Sequence, residues 1–334
     1  MNGIDLTVIW AGIIAFSVMV YVIMDGFDLG IGILFPNFKV GPDRDMAMNS
    51  IAPVWDGNET WLVLGGGGLL AAFPMAYAII LPALYAPLIA MLLGLVLRGV
   101  AFEFRWRDPA HRPLWDFAFT AGSVIATFAQ GISLGALLQG ITVEGRAYAG
   151  GWWEWLTPFS LLTGFALLAG YALLGCCWLI WKTEGPLQRQ CYSYAGRLGI
   201  LLFLAIVAVS AATPFLEAEY YTRWLAYPGV LATAQIPLAT TIFAALFFRS
   251  LSKRKEVAPF FYALGLFGLS LIGLAVSMWP DVIPGRITIW DAAAPYESQL
   301  FMLVGGGIMV PVILAYTGWA YWVFRGKVGS DGYH

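Results

Sequence analysis

Nine stretches of this 334-residue chain are long and apolar enough to cross a bilayer, and they constrain the fold more than any motif. A hydrocarbon core of about 30 Å is crossed by about 20 mostly apolar residues in a helix. On that criterion the spans are 6–34, 52–75, 79–102, 116–140, 157–181, 197–216, 226–248, 258–279 and 297–324. Backbone polar groups in lipid must be bonded internally, so the expected fold is an all-α integral membrane protein. Without a linker or low-complexity stretch, residues 1–334 read as a single membrane domain. Composition agrees, with AVILMFWYC residues at 60% and charged residues at 11%, too few charges to clothe a soluble globule of this size. Spans two and three are joined by almost nothing, and Pro74 and Pro82 bracket the expected turn.

The basic residues orient these spans. Lys39, Arg44, Arg105, Arg107, Arg112, Lys182, Arg189, Arg197, Arg249, Lys253, Arg254, Lys255, Arg325 and Lys327 fall on one side, 14 of the 18 Lys and Arg. Arg146, Arg223 and Arg286 fall on the other, and Arg98 lies within span three. By the positive-inside rule this asymmetry predicts N-out and C-in. Residues 1–6 carry Asp5 and no Lys or Arg, and no A-x-A-like site follows, so the first segment reads as a retained span. The formal net charge of -2 argues against a nucleic-acid partner, which needs a concentrated basic face. Trp152, Trp153, Trp155, Trp279 and Trp290 read as an interfacial belt on the outer margin.

Carboxylates inside spans are the informative letters, because each isolated charge near a helix centre costs roughly 2.5–3.5 kcal/mol. Asp25 and Asp28 are three apart and share a helix face, as do Asp56 and Glu59 once the second helix has begun. Asp25 sits about 15 Å from the inner end of its helix, near mid-bilayer. Arg98 is their natural partner. Glu103 lies five residues further on, well round the helix, so the guanidinium is expected to reach span one or two instead. Two readings stay open: an ion-pair network that fixes helix packing, or a chain of proton carriers open to the inner side.

Other features carry less. The runs Gly65–Gly68 and Gly305–Gly307 lie in apolar helices and read as close-packing surfaces. Cys176, Cys177 and Cys191 lack metal-ligand spacing and read as thiols without a role, so no metal site is expected. The two histidines, His111 and His334, fall outside the spans. The chain alone therefore lacks the usual membrane-buried axial ligand of a b-type haem.

Two runs closely resemble subunit II of the cytochrome bd-type quinol oxidases. They are Met24-Asp25-Gly26-Phe27-Asp28-Leu29-Gly30-Ile31-Gly32 and Asn49-Ser50-Ile51-Ala52-Pro53-Val54-Trp55-Asp56-Gly57-Asn58-Glu59-Thr60-Trp61. The similarity continues through Arg98-Gly99-Val100-Ala101-Phe102-Glu103-Phe104-Arg105, Trp290-Asp291 and Tyr316-Thr317-Gly318-Trp319. Glu59-Thr60 looks like the branch called cyanide-insensitive oxidases. The resemblance implies a multi-pass subunit of a bacterial plasma-membrane oxidase that oxidises quinol and reduces oxygen to water. It implies nine helices arranged as two four-helix bundles plus a peripheral helix, in a pseudo-symmetric heterodimer with subunit I. Haem b, haem d and the quinol-oxidising loop belong to that partner, so no catalytic residue is placed in this chain. A small third subunit and membrane lipid are further partners compatible with the resemblance. Asp25, Asp28, Asp56, Glu59, Arg98 and Glu103 become candidates for a proton route, with Asp56 first. Trp55 and Trp61 become candidates for a haem-pocket or interface role. The competing class is a proton-coupled secondary transporter, in which the same carboxylates bind the coupling ion. A third reading is a purely structural subunit.

Overall fold

A computed structural model describes residues 5–328. His334 lies outside the described residues. Among the described residues fourteen α-helices follow one another: α1 (Leu6–Leu34), α2 (Pro42–Asn49), α3 (Trp55–Ala72), α4 (Pro74–Ala83), α5 (Tyr85–Arg107), α6 (Arg112–Leu138), α7 (Pro158–Lys182), α8 (Gly185–Ala212), α9 (Ala218–Trp224), α10 (Gly229–Thr233), α11 (Gln235–Ser252), α12 (Ala258–Met278), α13 (Ile289–Ala292) and α14 (Tyr296–Val323). Two short antiparallel pairs, β1 (Val143–Glu144) with β2 (Ala147–Tyr148) and β3 (Asp281–Ile283) with β4 (Ile287–Thr288), sit in loops. Among the described residues eight helical segments pass as spans singly, and α3 with α4 passes as a ninth bent by 120°.

Helices α1, α3, α5 and α6 pack as one four-helix group, and α7, α8, α11 and α12 as a second. Helix α14 lies against α1 and α3 at the periphery and is the least buried span, whereas α7, between the groups, is the most buried. The Gly-rich motif of α1 makes the junction possible. A Cβ on Gly30 would run into the Tyr171 carbonyl of α7, and one on Gly175 would lie 2.6 Å from the Gly30 carbonyl carbon. Helix backbones approach this closely only where small residues face each other. Gly65 and Gly68 do pack against Val18 and Ile14 of α1, but Gly66 and Gly67 face open space.

Two boundaries differ from expectation. The second and third spans are joined by the ten residues of α4, so the third span begins at Tyr85 rather than at 79. Pro74 cannot continue α3, because it lacks an N–H and its ring clashes with the preceding turn. The apolar side of α4 instead packs with Trp10, Ile283, Ile287 and Ile289 across that end of the molecule. The sixth span begins at Gly185, twelve residues before the expected 197. Hydropathy registers only its apolar part. The added turns are amphipathic, burying Leu187, Cys191 and Ala195 at four-residue steps.

The connections on the two ends are tied separately. At one end Gln190 Nε2 donates to the Asn37 carbonyl at 2.8 Å, and Lys327 Nζ reaches Thr183 O at 3.1 Å and Glu256 at 2.8 Å. At the other, Trp290 Nε1 donates to Asp5 at 2.9 Å and Ala294 N to Ala72 O at 2.8 Å. The basic loops thus share one end of the fold with the starts of α3, α6, α8 and α12.

Candidate functional site

Four helices converge on one buried charge cluster. Asp25 and Asp28 of α1, one turn apart, are both excluded from solvent, as is Arg98 of α5. Arg98 Nη1 donates to Asp25 Oδ1 at 2.7 Å, and Nη2 lies 3.4 Å from Glu59 Oε1 of α3. Asn58 Nδ2 donates to Asp28 Oδ2 at 2.6 Å, and the Tyr321 hydroxyl of α14 donates to Asn58 Oδ1 at 3.0 Å. Trp55 floors the site, with Arg98 Cζ 5.8 Å from its ring and Phe102 stacked on it at 5.1 Å. Asp28 Oδ1 and Arg98 Nε find no hydrogen-bond partner among the described residues. Such unmet capacity in a low-dielectric site is costly, so the cluster is not a closed, self-satisfied ion pair.

The expected proton-route residues separate into three groups. Asp25, Asp28, Glu59 and Arg98 meet as anticipated. Asp56 is exposed and lines a cavity of about 160 Å³ with Gly57, Asn58, Tyr316, Thr317 and Tyr321. It opens at the start of α3, on the end that carries the basic loops. Glu103 is elsewhere: it pairs with Arg107 one turn on at 3.5 Å and is 55% exposed, so it joins neither cluster nor cavity. Trp61 is buried edge-on to Phe16 at 5.9 Å, with Nε1 lacking a partner among the described residues.

Two features escaped the sequence. Asn58 and Tyr321 join the cavity to Asp28, yet an Asn beside a helix start and a Tyr in an apolar helix carry no local signal. A second ionic knot lies at the same end. Arg105 Nε donates to Asp116 at 2.5 Å and Nη1 reaches Asp45 at 2.8 Å, while Arg44 holds Asp116 at 2.7 Å. Arg44 also donates to the Phe38 and Pro36 carbonyls, so the knot clamps the segment before α2 onto α5 and α6.

The described residues do not fit a haem iron. His111, the one histidine among them, is 67% exposed and shares a hydrogen bond with Asp108. The three cysteines are buried within the apolar core. Among the described residues no three His, Cys, Asp or Glu side chains group as metal ligands.

Fold and site together define a multi-span helical membrane protein with a buried carboxylate–guanidinium network reached from one end. Residues 6–324 match the cytochrome bd terminal oxidase subunit II family, and the chain belongs to it. It is 29% identical to a probable cytochrome oxidase subunit 2 of Haemophilus influenzae, over 97% of this chain and 95% of that one. Against the cytochrome bd-I ubiquinol oxidase subunit 2 of Escherichia coli K12 the identity is 27%, with the same coverage. Against the cytochrome bd ubiquinol oxidase subunit 2 of Bacillus subtilis it is 27%, over 96% of both chains. The fold is shared with a chain of the bd oxidase from Geobacillus thermodenitrificans, at TM-score 0.78 and 16% identity, covering 96% of this chain and 99% of that one. The chain is thus a subunit of a terminal quinol oxidase, part of a quinol:oxygen oxidoreductase complex that contains haem and a subunit I. Family membership decides between oxidase and transporter, which the cluster's geometry alone does not.

Proposed function

We propose that this chain is the non-haem-ligating half of the oxidase, needed for its assembly, and that it carries protons from the inner side toward the site of oxygen reduction. Haem b and haem d sit in subunit I, a pseudo-symmetric partner that also oxidises quinol. The complex lies in the bacterial plasma membrane with this chain's N-terminus outside and C-terminus inside, as the basic loops gathered at one end support. Electrons taken from quinol on the outer side meet protons taken from the inner side, which separates charge without a pump.

The observation that carries this reading is the continuity of polar groups. Asp56 stands in an open cavity, Asn58 and Tyr321 line that cavity, and Asn58 bonds Asp28, one turn from the Asp25–Arg98 pair. Arg98 meets Asp25 and Glu59 directly, and Asp28 lies one turn from Asp25 on Asn58, so three carboxyl groups gather beside one guanidinium. Carboxyl groups set in series beside an exposed carboxylate are the material of an intramembrane proton relay.

Asp56→Asn tests the proposal, because the side chain is exposed and its loss leaves the buried contacts intact. Quinol-driven oxygen uptake is expected to slow while subunit composition and haem spectra stay those of the parent complex. Full uptake in a correctly assembled variant would overturn the obligatory role of Asp56.

A further inference from the structure

A second concave site lies away from the acidic network. An open pocket of about 440 Å³ sits between the start of α8 and the end of α11, lined by Arg189, Tyr192, Ser193, Leu251, Ser252 and Arg254. Two guanidinium groups and two hydroxyl-bearing serines face it, and no carboxylate lines it. The acid of the connecting loop, Glu256, is engaged elsewhere, by Lys327 Nζ at 2.8 Å and Gln188 Nε2 at 3.0 Å.

The backbone is held in a strained turn to deliver one of these cations. Arg254 has φ +52°, the one positive-φ residue other than glycine among the described residues. Its N–H donates to the Leu251 carbonyl at 3.0 Å, and the Lys255 N–H donates to the Ser250 carbonyl at 3.1 Å. These are the paired bonds of a Schellman cap, whose left-handed position normally takes glycine. The Arg254 guanidinium lies 4.9 Å from the centroid of the Tyr192 ring, and the Tyr192 hydroxyl donates to the Lys255 carbonyl at 3.0 Å. The cap also occupies carbonyls at the end of α11 that would otherwise repel an anion.

Helix α8 extends the pattern along the membrane. Positions 189, 193, 197, 200 and 204 recur at three- and four-residue steps and share one face. They read Arg189, Ser193, Arg197, Ile200 and Leu204, and all five are exposed. A cationic end followed by an apolar stripe matches a phosphate followed by an acyl chain, the arrangement by which basic pockets between membrane helices hold lipid headgroups.

From this geometry we infer that the pocket binds the phosphate of an anionic phospholipid, held by Arg189 and Arg254, with an acyl chain along Ile200 and Leu204. The inference needs only that these helices span a membrane and does not rest on the proton route.

The test uses the whole oxidase, purified with its partner subunit into nanodiscs of equal parts phosphatidylglycerol and phosphatidylcholine, and then released for native mass spectrometry. The parent complex is expected to retain phosphatidylglycerol in preference to phosphatidylcholine. Arg189→Gln with Arg254→Gln is expected to weaken that retention at least about tenfold, the loss of two charge-assisted contacts. Retention equal to that of the parent overturns the inference. Inorganic phosphate, which lacks a chain to lie on α8, is expected not to displace the lipid; displacement at equal concentration makes this a free-anion site and overturns it. Arg254→Gly separates binding from folding, since glycine relieves the strained turn. That variant is expected to unfold at or above the parent temperature while retaining less phosphatidylglycerol, and unchanged retention removes Arg254 from the site.

Discussion

Arg98 Nη1 meets Asp25 Oδ1 at 2.7 Å with both side chains wholly excluded from solvent. Breaking such a pair from one side leaves an uncompensated charge in a low-dielectric interior, at a cost of about 3–5 kcal/mol. Arg98→Gln is therefore expected to lower the unfolding temperature and yield of the purified complex sharply. Asp25→Asn combined with Arg98→Gln is expected to recover part of that loss, Glu59 having lost the same partner, and a thermal-shift double-mutant cycle reads the coupling. Additive losses would mean that the two groups do not act as a pair.

Tyr321 tests the bridge between cavity and cluster. Tyr321→Phe removes one hydroxyl that donates to Asn58, worth about 1 kcal/mol, so the complex is expected to assemble normally. Oxygen uptake is nonetheless expected to fall several-fold, because the Asn58 amide loses the contact that orients it against Asp28. Uptake measured beside the haem optical spectrum distinguishes a slowed route from a damaged complex.

Packing at the junction of the two helix groups gives a sharper contrast. Gly30→Ala drives a methyl group into the Tyr171 carbonyl, where neither backbone can yield, and is expected to cost at least about 1–3 kcal/mol. Gly66→Ala meets open space and is expected to leave stability unchanged or slightly raised. Thermal unfolding of the two variants side by side checks the helix crossing directly.

The chain's last described turn responds to pH through Glu256. The hydrogen bond from Lys327, with a second from Gln188, holds the Glu256 carboxyl below its ordinary range. A carboxylate with a lowered folded-state pKa stabilises above its unfolded value, and that contribution is lost as pH falls through the lowered one. The contact of Lys327 with Thr183 and that of Val328 N with Lys182 O at 2.8 Å are thus expected to loosen in acid. Hydrogen exchange at Val328 is expected to become less protected, relative to the intrinsic rate, below the usual carboxylate range. In Glu256→Gln that protection is expected to be low at every pH.

The fold was legible where hydrophobicity alone decides it. Seven of nine spans are placed to within a few residues, whereas the third begins six residues late, after α4, and the sixth twelve residues early because its first turns are amphipathic rather than apolar. The bend at Phe73 was signalled by Pro74, whereas the independent helix that follows was not, since Ala76, Ile79 and Ile80 read like any other apolar run. In the site, costly charges announce themselves: Asp25, Asp28, Glu59 and Arg98 stand out against an apolar background, but Glu103, also a route candidate, pairs with Arg107 away from the cluster. Asn58 and Tyr321 were silent because neutral polar residues are inexpensive in a helix and acquire meaning only from what they touch. The Arg44, Asp45, Arg105 and Asp116 knot was hidden for another reason. Charges in and beside loops look solvated in sequence, and only the fold brings these four together.

Proton delivery through this chain is tested most directly at Asp28, because it bonds Asn58 one turn from the Asp25–Arg98 pair and an amide can replace it with little change of shape. The measurement is proton uptake from the inner side during quinol-driven turnover of the assembled oxidase in liposomes, comparing Asp28→Asn with the parent. Uptake and oxygen consumption are expected to slow together in the variant while its haem spectrum is unchanged. Parental rates of both in an intact Asp28→Asn complex would contradict the route and leave the cluster a structural one.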